Sequence, residues 1–357
     1  MALATHQTQK MTCIKTLVSQ SSHSNATLPS NYIHPINPDD SVANSELEHL
    51  IPTIDFSVLT STDPAQRSKA IHDLSKACQD WGFFLVINHG VSESLMKDVM
   101  DSCYNFFNLT DEEKKLYEGT DVLDPIRCGT SFNTSKEKIF FWRDFLKVLV
   151  HPDFHFPDKP KGFSELVLEY VKRIREVAGE LLRAISISLG LEASYMHNIL
   201  NLESSLQVFV ANLYPPCPQP ELALGMPPHS DHGLLNILVE NGVGGLQIQH
   251  NRKWVNVKAP PNSFLVNTCD HLEIVSNGRY KSVVHRAVVN NATTRISLAI
   301  ANGPSLDTMV SPAPALTNDE NNPPAYTPIK YKEYLQLQQG NKLDQKSILD
   351  RIRLQKE

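Results

Sequence analysis

Cysteine is scarce in this sequence, and no two cysteines form a CxxC pair. Six cysteines are scattered over 357 residues. That spacing excludes a zinc ribbon and gives no sign of the disulfide framework of a small secreted domain. We therefore expect the protein to work in a reducing compartment, and we predict a cytoplasmic location.

Long hydrophobic runs and an excess of positive charge are also missing. No apolar run approaches the roughly 20 residues that cross a bilayer, and the formal net charge is −6 at pH 7. We therefore expect neither a membrane nor a nucleic acid as partner, and we predict a monomer that acts on a small molecule. With 41% hydrophobic residues, the chain is long enough to bury a large core.

Acidic residues are absent before Asp39, and the segment that precedes it is rich in Ser and Thr. Such a composition is found in organelle transit peptides, but this segment contains no Arg. It also contains a short amphipathic stretch around Ile14, Leu17 and Val18. Two interpretations remain open here: a transit peptide, or a polar amino-terminal extension over residues 1–48 that is part of the fold.

Helical periodicity dominates the next segment of the chain, residues 49–203. Apolar residues recur at helical spacing, and two shorter runs are typical of strands. The predicted elements are a strand at 51–55, a buried strand at 83–88, and helices at 68–81, 92–107 and 161–188. Thr110 and Glu113 carry the signature of a capping box. We predict an α/β region that packs on the core.

From about residue 204 the sequence changes to short β-branched runs separated by Pro, Gly and Asn. These runs lie at 234–239, 245–249, 264–268, 282–289 and 295–301. Short strands at regular spacing indicate a jelly-roll barrel, which we place at 204–310. A proline-rich loop and a helix over 330–354 form the last segment, 311–357. The predicted fold is mainly β with helices: a double-stranded β-helix (jelly-roll) core packed with an N-terminal helical region and a C-terminal helix.

One short motif indicates a metal site. His229 and Asp231 lie two residues apart beside a predicted strand, so alternation places both side chains on one face. With one distant His they complete the two-histidine, one-carboxylate ligand set of non-haem iron(II), which leaves octahedral positions open for O₂ and a chelating co-substrate.

The His-x-Asp motif occurs twice, and its surroundings separate the two copies. Downstream of Asp231, His285 lies in the middle of a predicted strand. The second copy, His151-Pro-Asp153, has Gln207 at the matching offset. We therefore assign the third ligand to His285, and we interpret His151 as a surface or structural residue.

A potential carboxylate-binding pair follows the third ligand. Arg295 and Ser297 are two residues apart on the next predicted strand and so share one face. Arginine binds a carboxylate through two parallel hydrogen bonds, and a neighbouring hydroxyl adds a third. The alternative role for Arg295 is a structural ion pair.

Taken together, these motifs resemble the plant 2-oxoglutarate- and iron(II)-dependent dioxygenases, the family of flavonoid, gibberellin and alkaloid oxygenases. Matching segments run in order from about Ile14 to Tyr334. They are Ile51-Pro-Thr-Ile-Asp55, Trp81-Gly-Phe-Phe84, Asn88-His-Gly90, Asn212-Leu-Tyr-Pro-Pro-Cys-Pro218, His229-Ser-Asp231, Gly244-Gly-Leu246, Asp270-His-Leu-Glu273, Ser276-Asn-Gly-Arg-Tyr-Lys-Ser282 before His285, and Arg295-x-Ser297. The amino-terminal match favours part of the fold over a transit peptide.

The resemblance implies a reaction and two groups of site residues. The enzyme would use Fe²⁺, with 2-oxoglutarate and O₂ as co-substrates and ascorbate supporting activity, and would release succinate and CO₂. The implied iron ligands are His229, Asp231 and His285. The implied 2-oxoglutarate residues are Arg295 and Ser297, which bind the distal carboxylate, together with Tyr214 and Asn212. Two positions depart from the family pattern: Leu213 replaces an aromatic residue, and Cys269 replaces a glycine.

The substrate pocket is predicted less directly. Phe132, Phe140, Phe141 and Phe209 form a loose aromatic set, which is compatible with either core or pocket. In the anthocyanidin-synthase branch of the family, Phe stands in place of Ala301 and Lys in place of Val210. Both departures indicate a roomier, more apolar pocket without a fixed cation. We predict that Phe132, Phe141, Val210 and Ala301 contact the substrate.

The predicted activity is hydroxylation of a small specialised metabolite. Terpenoids, alkaloids and phenylpropanoids are the expected classes, and a neutral or basic, bulky, partly aliphatic molecule is favoured over a polyhydroxylated flavonoid. Desaturation, ring closure and O-demethylation are alternative outcomes of the same chemistry. Two other interpretations stay open: an oxidase of this fold that does not use 2-oxoglutarate, and a non-catalytic jelly-roll protein that only binds a ligand.

Overall fold

The fold is seen in a computed structural model of the chain, which describes residues 12–20, 27–35, 42, 45–317, 321–343 and 345–355. Parts of the predicted 1–48 extension, of the 311–328 loop and of the last helical stretch therefore lie outside the described residues. The strands are β1 Thr53–Asp55, β2 Phe83–Ile87, β3 Ile126–Thr130, β4 Asp144–His151, β5 Gln207–Tyr214, β6 Leu224–His229, β7 Leu235–Glu240, β8 Leu246–His250, β9 Lys253–Asn256, β10 Phe264–Thr268, β11 His285–Val288, β12 Arg295–Asn302, β13 Met309–Val310 and β14 Ile329–Lys330.

The α-helices of the described ranges surround these strands. They are α1 Ile14–Gln20, α2 Phe56–Leu59, α3 Pro64–Lys76, α4 Glu93–Phe107, α5 Asp111–Lys114, α6 Phe163–Ser188, α7 Tyr195–Ile199, α8 Asp270–Val275, α9 Tyr331–Gln339 and α10 Ser347–Ile352. The predicted capping box is present, since Thr110 and Glu113 each bond the other's backbone N–H at the start of α5.

Two sheets form the core of the molecule. The major sheet has the order β1-β2-β10-β7-β12-β5-β4-β3, and the minor sheet has the order β6-β11-β8-β9. Apart from the parallel pair β1–β2, the strand pairs of both sheets are antiparallel. Two facing sheets of this kind, decorated with helices, confirm the predicted jelly-roll core.

The outer face of the major sheet is covered by α3, α4 and α6. Side chains of α6 at helical spacing, such as Val171, Ile174 and Leu181, pack into one hydrophobic cluster with outward residues of the sheet, such as Phe209 and Leu298. A second cluster fills one end of the space between the sheets and includes residues of β2, β8, β9 and β10. The other end of that space stays open, and it holds the site described below.

Several segments differ from the predicted elements. The helix predicted at 68–81 ends as a π-helical turn at Gly82, where φ is +64° and a Cβ would overlap the carbonyl oxygen of Lys281. The helix predicted at 330–354 is two helices, because the chain leaves α9 at Gly340 and crosses the end of β6 before α10. His285 begins its strand, β11, rather than lying in its middle.

The structure also links regions that the sequence analysis treated separately. Four of the eight strands of the major sheet, β1 to β4, precede residue 204. The backbone N–H groups of Ile14 and Lys15, in α1, donate to the carboxylate of Asp144 in β4 at 2.9 and 3.0 Å. The described part of the amino-terminal extension therefore packs against the sheet.

Candidate active site

Three potential metal ligands meet at the open end between the two sheets. His229 ends β6, His285 begins β11, and the two residues are paired across the minor sheet. The carboxylate oxygens of Asp231 lie 3.6 Å from Nε2 of His229 and 3.5 Å from Nε2 of His285. In the described part of the chain this is the one group of three such ligand atoms within 4.8 Å of one another.

The two imidazoles are oriented by the backbone. Nδ1 of His229 lies 2.8 Å from the carbonyl oxygen of Pro227, and Nδ1 of His285 lies 3.3 Å from that of Val283. A carbonyl only accepts, so each Nδ1 carries the proton and each Nε2 keeps a lone pair directed at the ligand cluster. Burial, followed by the charge of His285, lowers the pKa of His229 to about 4. The imidazole is therefore neutral near pH 7, as a metal ligand requires.

The carboxylate of Asp231 is held from the major sheet. Its Oδ2 accepts hydrogen bonds from the side-chain amides of Asn236 in β7 at 2.7 Å and Asn267 in β10 at 3.1 Å. Burial alone would raise the pKa of Asp231, but the charges of the two histidines and the Asn236 bond outweigh it and lower the pKa to about 2. Two imidazole nitrogens and one ionised carboxylate fit Fe²⁺ and leave coordination positions free on the cavity side.

The ligand cluster opens into a cavity of about 1100 Å³ between the sheets. Among the residues that line it are all four predicted to bind the co-substrate: Asn212, Tyr214, Arg295 and Ser297. Register explains their proximity, because Arg295 lies opposite Tyr214, and Ser297 lies opposite Asn212 across the β5–β12 ladder. Leu213 between them points to the other face, into the outer core, so its departure from the family pattern leaves the cavity unchanged.

Arg295 is both an ion-pair partner and a cavity residue. Its Nε and Nη2 donate to Oε2 of Glu240 at 3.0 and 2.7 Å, and both side chains are almost fully buried. The guanidinium also lies over the ring of Tyr214, 5.0 Å from its centroid. Nη1 has no hydrogen bond to another described residue, so this edge of the guanidinium is available to a ligand. No motif in the sequence predicted this role for Glu240.

The predicted substrate residues divide into two groups. Phe132, Val210 and Ala301 line the cavity. Phe141 does not line it: its side chain is 2% exposed, belongs to a separate hydrophobic cluster and stacks on His34. Phe209 is likewise a residue of the outer core. The structure therefore does not bring Phe141 to the cavity with the other three predicted substrate residues, since sequence alone does not show which way a residue before a strand faces.

The expectation of a pocket without a fixed cation is also wrong. Lys147 in β4 lies directly opposite Val210 in β5 and lines the cavity, as does Arg127 in β3. The sequence analysis missed both residues because it predicted neither β3 nor β4. The alternation of Phe145, Lys147 and Leu149 with buried aliphatic residues is the signal that would have found β4.

The remaining histidines of the sequence argument have structural partners. Nδ1 of His151 lies 2.6 Å from the carbonyl oxygen of Ser205 at the end of β4. Nδ1 of His232 lies 2.9 Å from the hydroxyl of Tyr331, and Nδ1 of His271 accepts from the backbone N–H of Gly233. None of the three belongs to the ligand cluster of the described chain.

Comparison with known proteins agrees with this geometry. Residues 205–304 match the model of the 2OG-Fe(II) oxygenase superfamily, and residues 51–167 match the model of the non-haem dioxygenase in morphine synthesis N-terminal region. The 2-oxoglutarate-dependent dioxygenase 19 of rice (Oryza sativa subsp. japonica) is 45% identical over 305 residues, which cover 85% of this chain and 90% of the relative. The chain belongs to the 2-oxoglutarate- and iron(II)-dependent dioxygenases.

Other relatives of this dioxygenase cover nearly its full length. Flavanone 3-dioxygenase 2 of rice is 37% identical over 332 residues, which cover 92% of this chain and 94% of the relative. The crystal structure of JOX2 in complex with 2OG, Fe and JA superposes with a TM-score of 0.86 at 30% identity, over 97% of this chain and 99% of that one. The predicted enzyme class, with Fe²⁺ as metal and 2-oxoglutarate as co-substrate, is confirmed. Within the described ranges, the helices of this dioxygenase are too short or too polar to span a bilayer.

Proposed function

We propose that this dioxygenase hydroxylates a small specialised metabolite while 2-oxoglutarate and O₂ are converted to succinate and CO₂. The observation that carries the proposal is the position of the Arg295–Ser297 pair. Both side chains line the same cavity as the three potential metal ligands. One cavity therefore contains both an open-sided metal site and a wall that binds a carboxylate, which we call the co-substrate wall (Asn212, Tyr214, Arg295 and Ser297). Neither a simple ligand-binding protein nor an oxidase independent of 2-oxoglutarate needs both.

The metal site acts through its three side chains. His229 and His285 offer Nε2 lone pairs, and Asp231 offers a carboxylate oxygen. Iron bound there supplies the oxidation chemistry, and the protein supplies orientation and exclusion of water. The ligands are nearly buried, with side chains 9–17% exposed, so these residues would exclude most bulk water from a metal held there.

The co-substrate wall acts by charge and geometry. The free Nη1 edge of Arg295 and the hydroxyl of Ser297 bind the distal carboxylate of 2-oxoglutarate. Tyr214 supports the guanidinium from one face, and Asn212, whose Oδ1 accepts from Nη1 of Arg143 at 3.1 Å, is held in place beside Ser297. Because these groups are fixed before the co-substrate binds, little rotamer entropy is lost on binding.

The substrate class and the setting of the enzyme are part of the proposal. A relative named flavanone 3-dioxygenase supports oxygenation of a small metabolite, with desaturation, ring closure or O-demethylation as alternative outcomes. All six cysteines are free thiols, which supports a reducing compartment such as the cytoplasm.

The experiment is an assay of succinate formation from 2-oxoglutarate under air, with Fe²⁺, ascorbate and a plant metabolite extract. We expect succinate to form, and one component of the extract to gain an oxygen atom in its mass spectrum. A component that loses two hydrogens or a methylene unit instead would indicate desaturation or demethylation. Oxidation of a component without any loss of 2-oxoglutarate would reject the proposed co-substrate.

A further inference from the structure

Two cationic side chains in the cavity take no part in the proposed reaction with 2-oxoglutarate. Arg127 in β3 and Lys147 in β4 lie directly opposite each other, and the same row continues through Val210 in β5 to Ala299 in β12. Ala299 is two residues from Ser297 on one strand, so the two cations share the face that carries the co-substrate wall. They lie on β4 and on the edge strand β3, separated from β12 by β5.

Neither cation has an acidic partner in the described part of the chain. Nζ of Lys147 donates to Oε1 of Gln339, in α9, at 2.5 Å. Nε of Arg127 is buried and has no hydrogen-bond partner. The charges of Asp124 and Asp121 act on Arg127 without forming an ion pair with it, and both carboxylates accept backbone N–H groups of their own loop.

This arrangement is unfavourable without a ligand. Like charges directly opposite each other on neighbouring strands destabilise a sheet, and an unpaired buried cation carries a desolvation penalty. Burial, then the charges of Arg127 and Arg143, lower the pKa of Lys147 well below its ordinary value. A bound anion would offset all three effects, because it would pair both cations and favour the protonated amine.

The position of Lys147 also connects this pair to the reaction site. Lys147 lines the same cavity as His229, Asp231 and His285, so a molecule bound to Lys147 shares that cavity with the metal ligands. Apolar side chains also line this cavity, among them Phe132, Met226, Leu238, Leu246 and Leu343. A ligand that fits has an acidic group at one end and an apolar body.

Two other acidic residues of the lining, Asp144 and Asp111, have partners of their own. Asp144 accepts from two backbone N–H groups of α1 and from the hydroxyl of Thr130. Asp111 pairs with Lys114 at 3.2 Å. These carboxylates are therefore not free to neutralise the cation pair.

We propose that Lys147 and Arg127 bind the carboxylate of the substrate, which makes the substrate an organic acid with an apolar body. The inference rests on the proposed function, and it specifies the substrate class of that site. Arginine and lysine side by side match a planar carboxylate, since the guanidinium supplies two parallel donors and the amine a third.

The test is calorimetric titration of the Fe²⁺-loaded protein under nitrogen, at saturating 2-oxoglutarate, with cinnamate and with its uncharged amide, cinnamamide. We expect the wild type to prefer cinnamate by roughly 10- to 100-fold, as for a charge-assisted contact. Lys147→Met and Arg127→Gln should each reduce the preference for cinnamate to less than about 3-fold. Lys147→Arg, which keeps the positive charge, should retain most of the wild-type preference. Lys253→Met, at an exposed position of β9, is the matched control and should behave like the wild type.

The outcomes separate this inference from the proposed function. Equal affinity for acid and amide, no binding of cinnamate at millimolar concentration, or an unchanged preference in both Lys147→Met and Arg127→Gln would each overturn the anion site. Cinnamate affinity that falls as 2-oxoglutarate rises would place the anion at Arg295 instead. Succinate formation in the wild type, measured separately, decides the proposed function whichever result the titration gives.

Discussion

At the scale of single residues, the metal site depends on three side chains that have different supports. Backbone carbonyls orient His229 and His285, whereas two asparagine amides orient Asp231. Replacing any of the three by Ala should abolish succinate formation, because each substitution removes one of three protein ligands. The measurement is succinate formed per enzyme together with iron retained after gel filtration.

The second His-x-Asp motif supplies the control for this prediction. His151→Ala should keep most of the activity, since His151 bonds Ser205 at the end of β4, remote from the ligand cluster. Full activity in His285→Ala, or complete loss in a folded His151→Ala protein, would show that the wrong motif was assigned.

Glu240 affords a second prediction at this scale. Its buried carboxylate pairs with Arg295, beside the position where 2-oxoglutarate brings two negative charges. Glu240→Gln keeps a hydrogen-bond acceptor for Arg295 and removes the repulsion between the Glu240 carboxylate and 2-oxoglutarate. That repulsion is worth about 1–2 kcal/mol at the effective dielectric of a protein site. We expect the 2-oxoglutarate concentration for half-maximal rate to fall by roughly 5- to 30-fold.

Arg295→Lys gives the opposite expectation. Lysine keeps the positive charge but lacks the planar, bidentate donor geometry of the guanidinium. The 2-oxoglutarate concentration for half-maximal rate should therefore rise by roughly 30- to 1000-fold. If the 2-oxoglutarate concentration for half-maximal rate also rose in Glu240→Gln, Glu240 would act mainly by orienting the guanidinium of Arg295.

Residue identity and spacing predicted much of the site, but not the partners of its residues. Spacing within short stretches of chain paired His229 with Asp231 and Arg295 with Ser297, whereas His285 was assigned from its place in a predicted strand further along the chain. Glu240 lies opposite Ser297, and Lys147 lies opposite Val210, only through registers between strands far apart in sequence. A single sequence does not contain those registers, and so the cation pair and the acid beside Arg295 were not predicted.

At the scale of elements, local patterns predicted the helices better than the strands. The periodicity of α6 and the cap of α5 depend on neighbours in sequence, and both were predicted. β4 carries Lys147 inward because that face lines a cavity and not a packed core. The break between α9 and α10 depends on a tertiary partner, since residue 345 bonds the backbone of Pro228 and Ser230 at the end of β6.

Glu273, in α8, anchors the segment that follows this break. Its carboxylate accepts from the hydroxyl of Tyr326 at 2.7 Å and pairs with Lys346 at 2.9 Å and Arg353 at 2.8 Å. Burial would raise the pKa of Glu273, but the charge of Lys346 and the hydrogen bonds outweigh it and lower the pKa below 4.5. The ionised carboxylate therefore stabilises the fold above pH 4.5, and this contribution is lost as pH falls through the lowered pKa.

Glu273→Gln should destabilise the protein by about 1–3 kcal/mol at pH 7, a range reduced because Arg353 is partly exposed. Denaturant unfolding at pH 7 and at pH 4 measures the effect, and the difference from wild type should shrink at the lower pH. Limited proteolysis should cut the variant first within residues 340–355. A difference that grows on acidification would contradict the assigned role of the ionised carboxylate.

At the scale of the whole molecule, the metal site joins the two sheets. The minor sheet carries both histidines, and the major sheet holds Asp231 through Asn236 and Asn267. The cavity wall also includes Thr12 and Cys13, just before α1, and the end of α9, so segments far apart in sequence close the same space. The order of motifs in the sequence predicted the jelly-roll core, whereas this closure depends on packing between segments hundreds of residues apart.

A metal that bridges two sheets should stabilise the folded chain as a whole. A ligand at 100 times its Kd adds about 2.7 kcal/mol, which for a chain of this length raises the Tm by roughly 3–4 °C. We expect that rise with Fe²⁺ under nitrogen, or with redox-inert Mn²⁺, and its reversal by a chelator. The Tm of Asp231→Ala should not rise when metal is added, because the two remaining ligands, His229 and His285, both belong to the minor sheet and no longer connect it to the major sheet. His151→Ala should respond like the wild type, and an equal rise in Asp231→Ala would place the stabilising metal elsewhere.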